Sequence, residues 1–101
     1  MDLTVRERLL LLQILPRQGD LTTIKIVRRL REELSFDENE HRQLNFQQAD
    51  GQLTWNRVSI VKDVVIGDKA REIICKALEA LDRRQAVAED HLPLFEKFGV
   101  G

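Results

Sequence analysis

A chain of 101 residues and 11.7 kDa has room for one small domain, expected to be a single compact unit over residues 1–101. Sixteen Lys and Arg against seventeen Asp and Glu leave a formal charge of -1, which excludes a general positive field drawing the chain to nucleic acid or anionic lipid. Fifteen Leu, seven Ile and eight Val are too many for a disordered segment, and one cysteine excludes an internal disulfide.

Thr4-Val5-Arg6-Glu7 has the spacing of a capping box and predicts a first helix over Val5 to Ile14. Within it, Leu9 to Leu12 point in four directions at about 100° per residue. Val5, Leu9 and Leu12 make one stripe, while Leu10 and Ile14 face another side. Such a helix is normally covered all round, either by running through the middle of the bundle or by meeting another chain. In the second case Leu10, Leu11 and Ile14 would form the interface of a homodimer or partner complex. No apolar run reaches the roughly 20 residues of a membrane span, and the run near the start is not followed by a small-residue cleavage site. The expected setting is a reducing cytoplasm, away from the membrane.

Pro16-Arg17-Gln18-Gly19 reads as a turn, and Asp20 or Thr22 caps a second helix over Leu21 to Leu34. Ile24, Val27, Leu30 and Leu34 share its inner face. Lys25, Arg28 and Arg29 make the other face basic, with Arg28-Glu32 and Arg29-Glu33 spaced for ion pairs. Asp37, with Glu40 three residues on, caps a short helix that ends near Leu44.

The period then changes to two. Asp50-Gly51 suits the tip of a hairpin in which Phe46 opposes Trp55 and Gln48 opposes Leu53. That register places Leu44, Phe46, Leu53 and Trp55 on one face, expected to be buried. The β-branched stretch after Val58 predicts a third strand near Val64 to Ile66. A long helix over Lys69 to Gln85 carries the stripe Ala70, Ile73, Ile74, Ala77, Leu78 and Leu81, with Glu72-Lys76 and Glu79-Arg83 pairs outside. A last helix, Glu89 to Phe98, accommodates Pro93 in its first turn, buries Leu92, Phe95 and Phe98, and stops at Gly99. The fold class is therefore α+β: a mostly helical small domain with a two- or three-stranded antiparallel β element in the middle of the chain.

Catalytic material is sparse. Cys75 lies one position off the stripe of the long helix and reads as a small buried hydrophobe. His41 and His91 sit in helix-start segments, and a metal site from Asp37, Glu40 and His41 would require Asp90 and His91 to come alongside. No phosphate loop, hydrolase elbow or C-x-x-C motif is present, so neither a cofactor nor catalysis is expected. Two surfaces carry charge in a pattern suited to binding. Asp37, Glu38, Glu40 and Asp50 form an acidic surface able to meet a basic cleft on another protein. Lys25, Arg28 and Arg29 form a basic face, which with the hairpin as wing gives the alternative reading of a winged-helix-like, DNA-binding transcription regulator. Against that alternative, the segment in the place of the third helix is acidic.

The ordered signals Thr4-Val5-x-Glu7-Arg8, Leu15-Pro16-x-x-Gly19-Asp20, Phe36-Asp37-Glu38-x-Glu40, Asp50-Gly51 before Trp55, Ile66-Gly67-Asp68-Lys69-Ala70 and Phe95-Glu96-Lys97-Phe98 run along nearly the whole chain. Together they resemble small proteins of unassigned function encoded by bacteriophages and prophages. The resemblance implies a host-bacterial cytoplasm and a factor acting by contact with a host or virion protein, as an inhibitor or adaptor. It brings no catalytic residue.

Overall fold

The computed structural model describes residues 1–101. Its elements are β1 (Asp2–Thr4), α1 (Val5–Ile14), α2 (Leu21–Leu34), α3 (Glu38–Leu44), β2 (Gln47–Ala49), β3 (Gln52–Thr54), β4 (Val61–Asp63), α4 (Asp68–Arg83), a 3-10 turn Glu89–His91 and α5 (Leu92–Phe98). This is an α+β domain, and none of its helices is long and apolar enough to cross a membrane.

Local chemistry sets the helix boundaries. The Thr4 hydroxyl accepts from the Glu7 N–H at 3.2 Å while the Glu7 carboxylate accepts from the Thr4 N–H at 2.9 Å, closing the capping box of α1. Asp20 caps α2 by accepting from the Thr23 N–H at 2.8 Å, an interaction that holds its carboxyl below the ordinary value. Asp37 and Glu40 reproduce the box at α3, which ends on Asn45 in the left-handed region. Helix α4 stops two residues before the expected Gln85. That residue takes a φ of 56° and turns the chain, so the Ala86 N–H reaches back to the Leu81 carbonyl.

One cluster of buried apolar side chains draws on β1, α1, α2, α4 and α5. Leu11, at 0% exposure, lies within it, and Leu9, Leu10, Leu12 and Ile14 are half-buried. The chain's own helices thus cover the Leu11 side of α1 completely and the sides bearing Leu9, Leu10, Leu12 and Ile14 only in part. Leu11 is thereby removed from the expected interface, because a side chain sealed in the core cannot present itself to another molecule. Arg31 closes the end of α1, donating to the carbonyls of Leu12 at 3.2 Å and Leu15 at 3.3 Å, groups left free where the helix stops.

The β structure differs from expectation in two respects. The hairpin has the predicted register, Gln48 opposite Leu53, and both tip residues, Asp50 and Gly51, have positive φ. Its face, however, is not buried. Every residue from Gln47 to Thr54 is exposed, Leu53 by 42%, because the strands run outward from the body and only Leu44, Phe46 and Trp55 reach back to it. The third strand also forms earlier, at Val61–Asp63, and pairs with β1 rather than with the hairpin, so the β element comprises two separate two-stranded antiparallel sheets. In α5, Leu94 replaces Leu92 in the core. The 3-10 turn before Pro93 rotates Leu92 outward, to 50% exposure.

Candidate protein-binding surfaces

The projecting hairpin is anchored through an arginine on α1. Arg8 is fully buried, and its guanidinium spreads its fork of donors over α3 and the end of α2. Nη1 and Nη2 donate to the two Glu40 carboxylate oxygens at 2.6 and 3.2 Å. Nε donates to the Leu34 carbonyl at 3.1 Å and Nη2 to the Ser35 carbonyl at 2.7 Å, both at the end of α2 where helical carbonyls lack partners. The guanidinium carbon also lies 4.0 Å from the Phe36 ring centroid.

From Phe36 an aromatic set leads to the hairpin base. Phe36 meets Phe46 edge-on at 5.2 Å, and His41 lies 5.6 Å from Phe46. Phe46 meets Trp55 at 6.1 Å, with the Arg6 guanidinium 5.4 Å from the Trp55 ring. A two-stranded hairpin is marginal alone in water, so this base is what holds its geometry.

Within the expected acidic surface, Glu40 is a correction. Its carboxylate is 15% exposed and committed to Arg8, leaving Asp37, Glu38 and Asp50 on the outside. The hydrogen bonds from Arg8 hold the Glu40 carboxyl below its ordinary 4.5, helped by the Asp37 N–H and opposed by burial. A depressed folded-state value stabilises the protein above the unfolded value, and that contribution is lost as pH falls through the folded one. Urea midpoints are therefore expected to fall as pH drops below about 4.5, and Glu40→Gln, less stable at neutral pH, is expected to flatten that dependence. An unchanged acid slope in the variant would remove Glu40 as its source.

The basic face is divided. Arg28 approaches Glu32 at 3.7 Å, both side chains exposed, whereas the predicted Arg29-Glu33 and Glu79-Arg83 pairs do not form. Lys25 and Arg29 border an open groove of about 830 Å³ between α2 and the Val65–Ala70 segment, together with Lys69, Glu33 and Asp68. The mixture of signs makes it no basic track for phosphates. Leu10 and Ile14 are half-buried, and Ile14 borders a second groove, about 540 Å³, against α4.

The remaining reactive groups are engaged separately. The His91 Nδ1 accepts from the Ala88 N–H at 2.9 Å, and the Cys75 thiol lies 3.7 Å from the Phe98 carbonyl. Asp90 pairs with Arg6 at 2.7 Å, and no three His, Cys, Asp or Glu side chains converge to hold a metal ion. Sequence reasoning missed the two buried charges, Glu7 and Arg8. The available signal was that Arg8, Leu11 and Leu15 follow the i, i+3, i+7 spacing of a buried stripe, which makes a charge at its head conspicuous.

Comparison with protein-family models, with curated proteins and with solved structures finds no match to this chain.

Proposed function

We propose that this chain is a non-enzymatic protein-binding domain, an inhibitor or adaptor that presents the α3–hairpin surface to a basic cleft on another protein. The observation that carries the reading is the hairpin: eight consecutive exposed residues, Gln47 to Thr54, project from a base immobilised by Arg8 and the aromatic set. Pre-ordering of this kind lowers the entropic cost of docking. Asp37, Glu38 and Asp50 place negative charge beside it, which would speed encounter with a positive surface, including one that normally holds nucleic acid. The resemblance to bacteriophage and prophage proteins supplies the setting, a bacterial cytoplasm, and the class of partner, a host or virion protein. The winged-helix alternative is disfavoured by α3, where Glu38 is exposed and the helix offers Arg42 as its one arginine or lysine.

The triple variant Asp37→Asn, Glu38→Lys, Asp50→Asn tests the reading, since asparagine preserves both the helix cap and the positive φ of the tip. Capture from a bacterial lysate followed by a binding titration is expected to show at least about tenfold weaker association at an unchanged melting temperature. Full retention of the partner would overturn the acidic surface. A salt-sensitive mobility shift with duplex DNA, abolished by Lys25→Glu with Arg29→Glu, would establish the alternative instead.

A further inference from the structure

We propose that the chain pairs with a second copy of itself along the free edge of β4, joining two β1–β4 sheets into one four-stranded antiparallel sheet about a twofold axis. The segment is longer than its paired part. From Ser59 to Ile66 burial alternates strictly, with Ser59, Val61, Asp63 and Val65 exposed and Ile60, Lys62, Val64 and Ile66 turned inward. Only Val61 to Asp63, extended by the Val64 N–H to the Met1 carbonyl at 2.9 Å, pairs with β1. Since Val64 bonds toward β1, the antiparallel alternation aims Lys62 the same way and turns the backbone groups of Val61 and Asp63 outward. No strand lies on that side. Val61 and Val65, at 53% and 83% exposure, present β-branched side chains beside it.

Natural edge strands are protected by proline, by charge or by a covering element. Here the segment contains no proline. The Lys62 ammonium is drawn away to the Glu33 carbonyl at 2.6 Å, and the Asp63 carboxylate pairs with the Met1 ammonium at 2.8 Å. Lys62 and Asp63 give the edge one charge of each sign, so it fits its own copy in a register that keeps like charges apart. Antiparallel pairing centred on Val61 sets Val61 opposite Val61 and Ser59 opposite Asp63, a hydroxyl donor facing a carboxylate. Centring on Lys62 or Asp63 would oppose like charges, so charge fixes the register. Closed twofold dimers are also the commonest assembly of identical chains.

Sedimentation equilibrium of the full chain is expected to show a concentration-dependent dimer, with the Val61 and Asp63 amides exchanging more slowly in it. Val61→Pro removes an N–H that faces away from β1, and it is expected to weaken the dimer at least about tenfold with the melting temperature kept. Val61→Lys and Val61→Glu, which leave the β1 pairing intact even if the proline variant misfolds, are each expected to be monomeric, while their mixture dimerises because the two residues face each other. A wild-type monomer at every concentration overturns the proposal, as does a dimer that survives these substitutions or a mixture that remains monomeric. None of these readouts involves the hairpin or a heterologous partner.

Discussion

Replacing Arg8 with alanine is expected to destabilise the protein by about 3–5 kcal/mol, a large share of the about 5–15 kcal/mol that holds a domain together. The loss is one-sided. Glu40 would keep a carboxylate that is 15% exposed and has lost its ion-pair partner, and the Leu34 and Ser35 carbonyls would lose their donors at the end of α2. A buried ion pair need not exceed an apolar contact in net stability, but removing half of one leaves the other half in a medium that solvates it poorly. Arg8→Lys is expected to recover part of the loss, since an ammonium restores the charge without the planar fork that spans Glu40 and both carbonyls. Urea denaturation measures the total, and hydrogen exchange locates it, with α3 and the hairpin amides losing protection before α4. A cost below about 1 kcal/mol would place Arg8 among surface residues in its effect.

Leu11→Ala is expected to cost about 2–5 kcal/mol, because it opens a cavity in the cluster where α1 is flanked by α2 and α4. Leu10, one residue earlier and only half-buried, should cost roughly half as much on the same substitution, in proportion to the area it removes from water. The comparison reads directly on the leucine run. If Leu10→Ala proved as damaging as Leu11→Ala, or if its cost grew with protein concentration, α1 would be completing an interface with another chain.

The starts of α1, α2 and α3 were legible because each carries its own chemistry. Thr4 with Glu7, Asp20, and Asp37 with Glu40 are local devices acting over three residues, and the structure uses all of them. The hairpin turn was legible for the same reason, since Asp50-Gly51 specifies its backbone angles without help from the rest of the chain. What escaped was everything set by distant residues. β1 has three residues and one inward side chain, too short to show a period, and only β4 some sixty positions later makes it a strand. Hydrophobic patterning could say that Phe46, Leu53 and Trp55 share a side but not that the body stops beneath Trp55, leaving Leu53 in solvent. In the first helix, four consecutive leucines support several stripes equally. The stripe actually buried runs through Arg8, a residue that pattern reading assigns to the outside. The acidic surface was recognised as a run of charge, while the commitment of Glu40 to Arg8 depended on a contact across thirty-two positions.

Glu7 and Arg8 are neighbours on α1, yet their partners come from opposite parts of the chain. Arg8 waits for Glu40, and Glu7 accepts from the Lys97 ammonium at 2.7 Å, a group that also donates to the Asp2 carbonyl. During synthesis α1 therefore emerges ahead of α2 to α5, and its Glu7 charge is answered only when α5 follows. At roughly 5–20 residues per second, the ribosome holds a leucine-rich helix with an unmatched carboxylate for several seconds before α5 appears. Over that interval the apolar side of α1 faces no α5, and the docking of α5 is the event that brings Lys97 to Glu7.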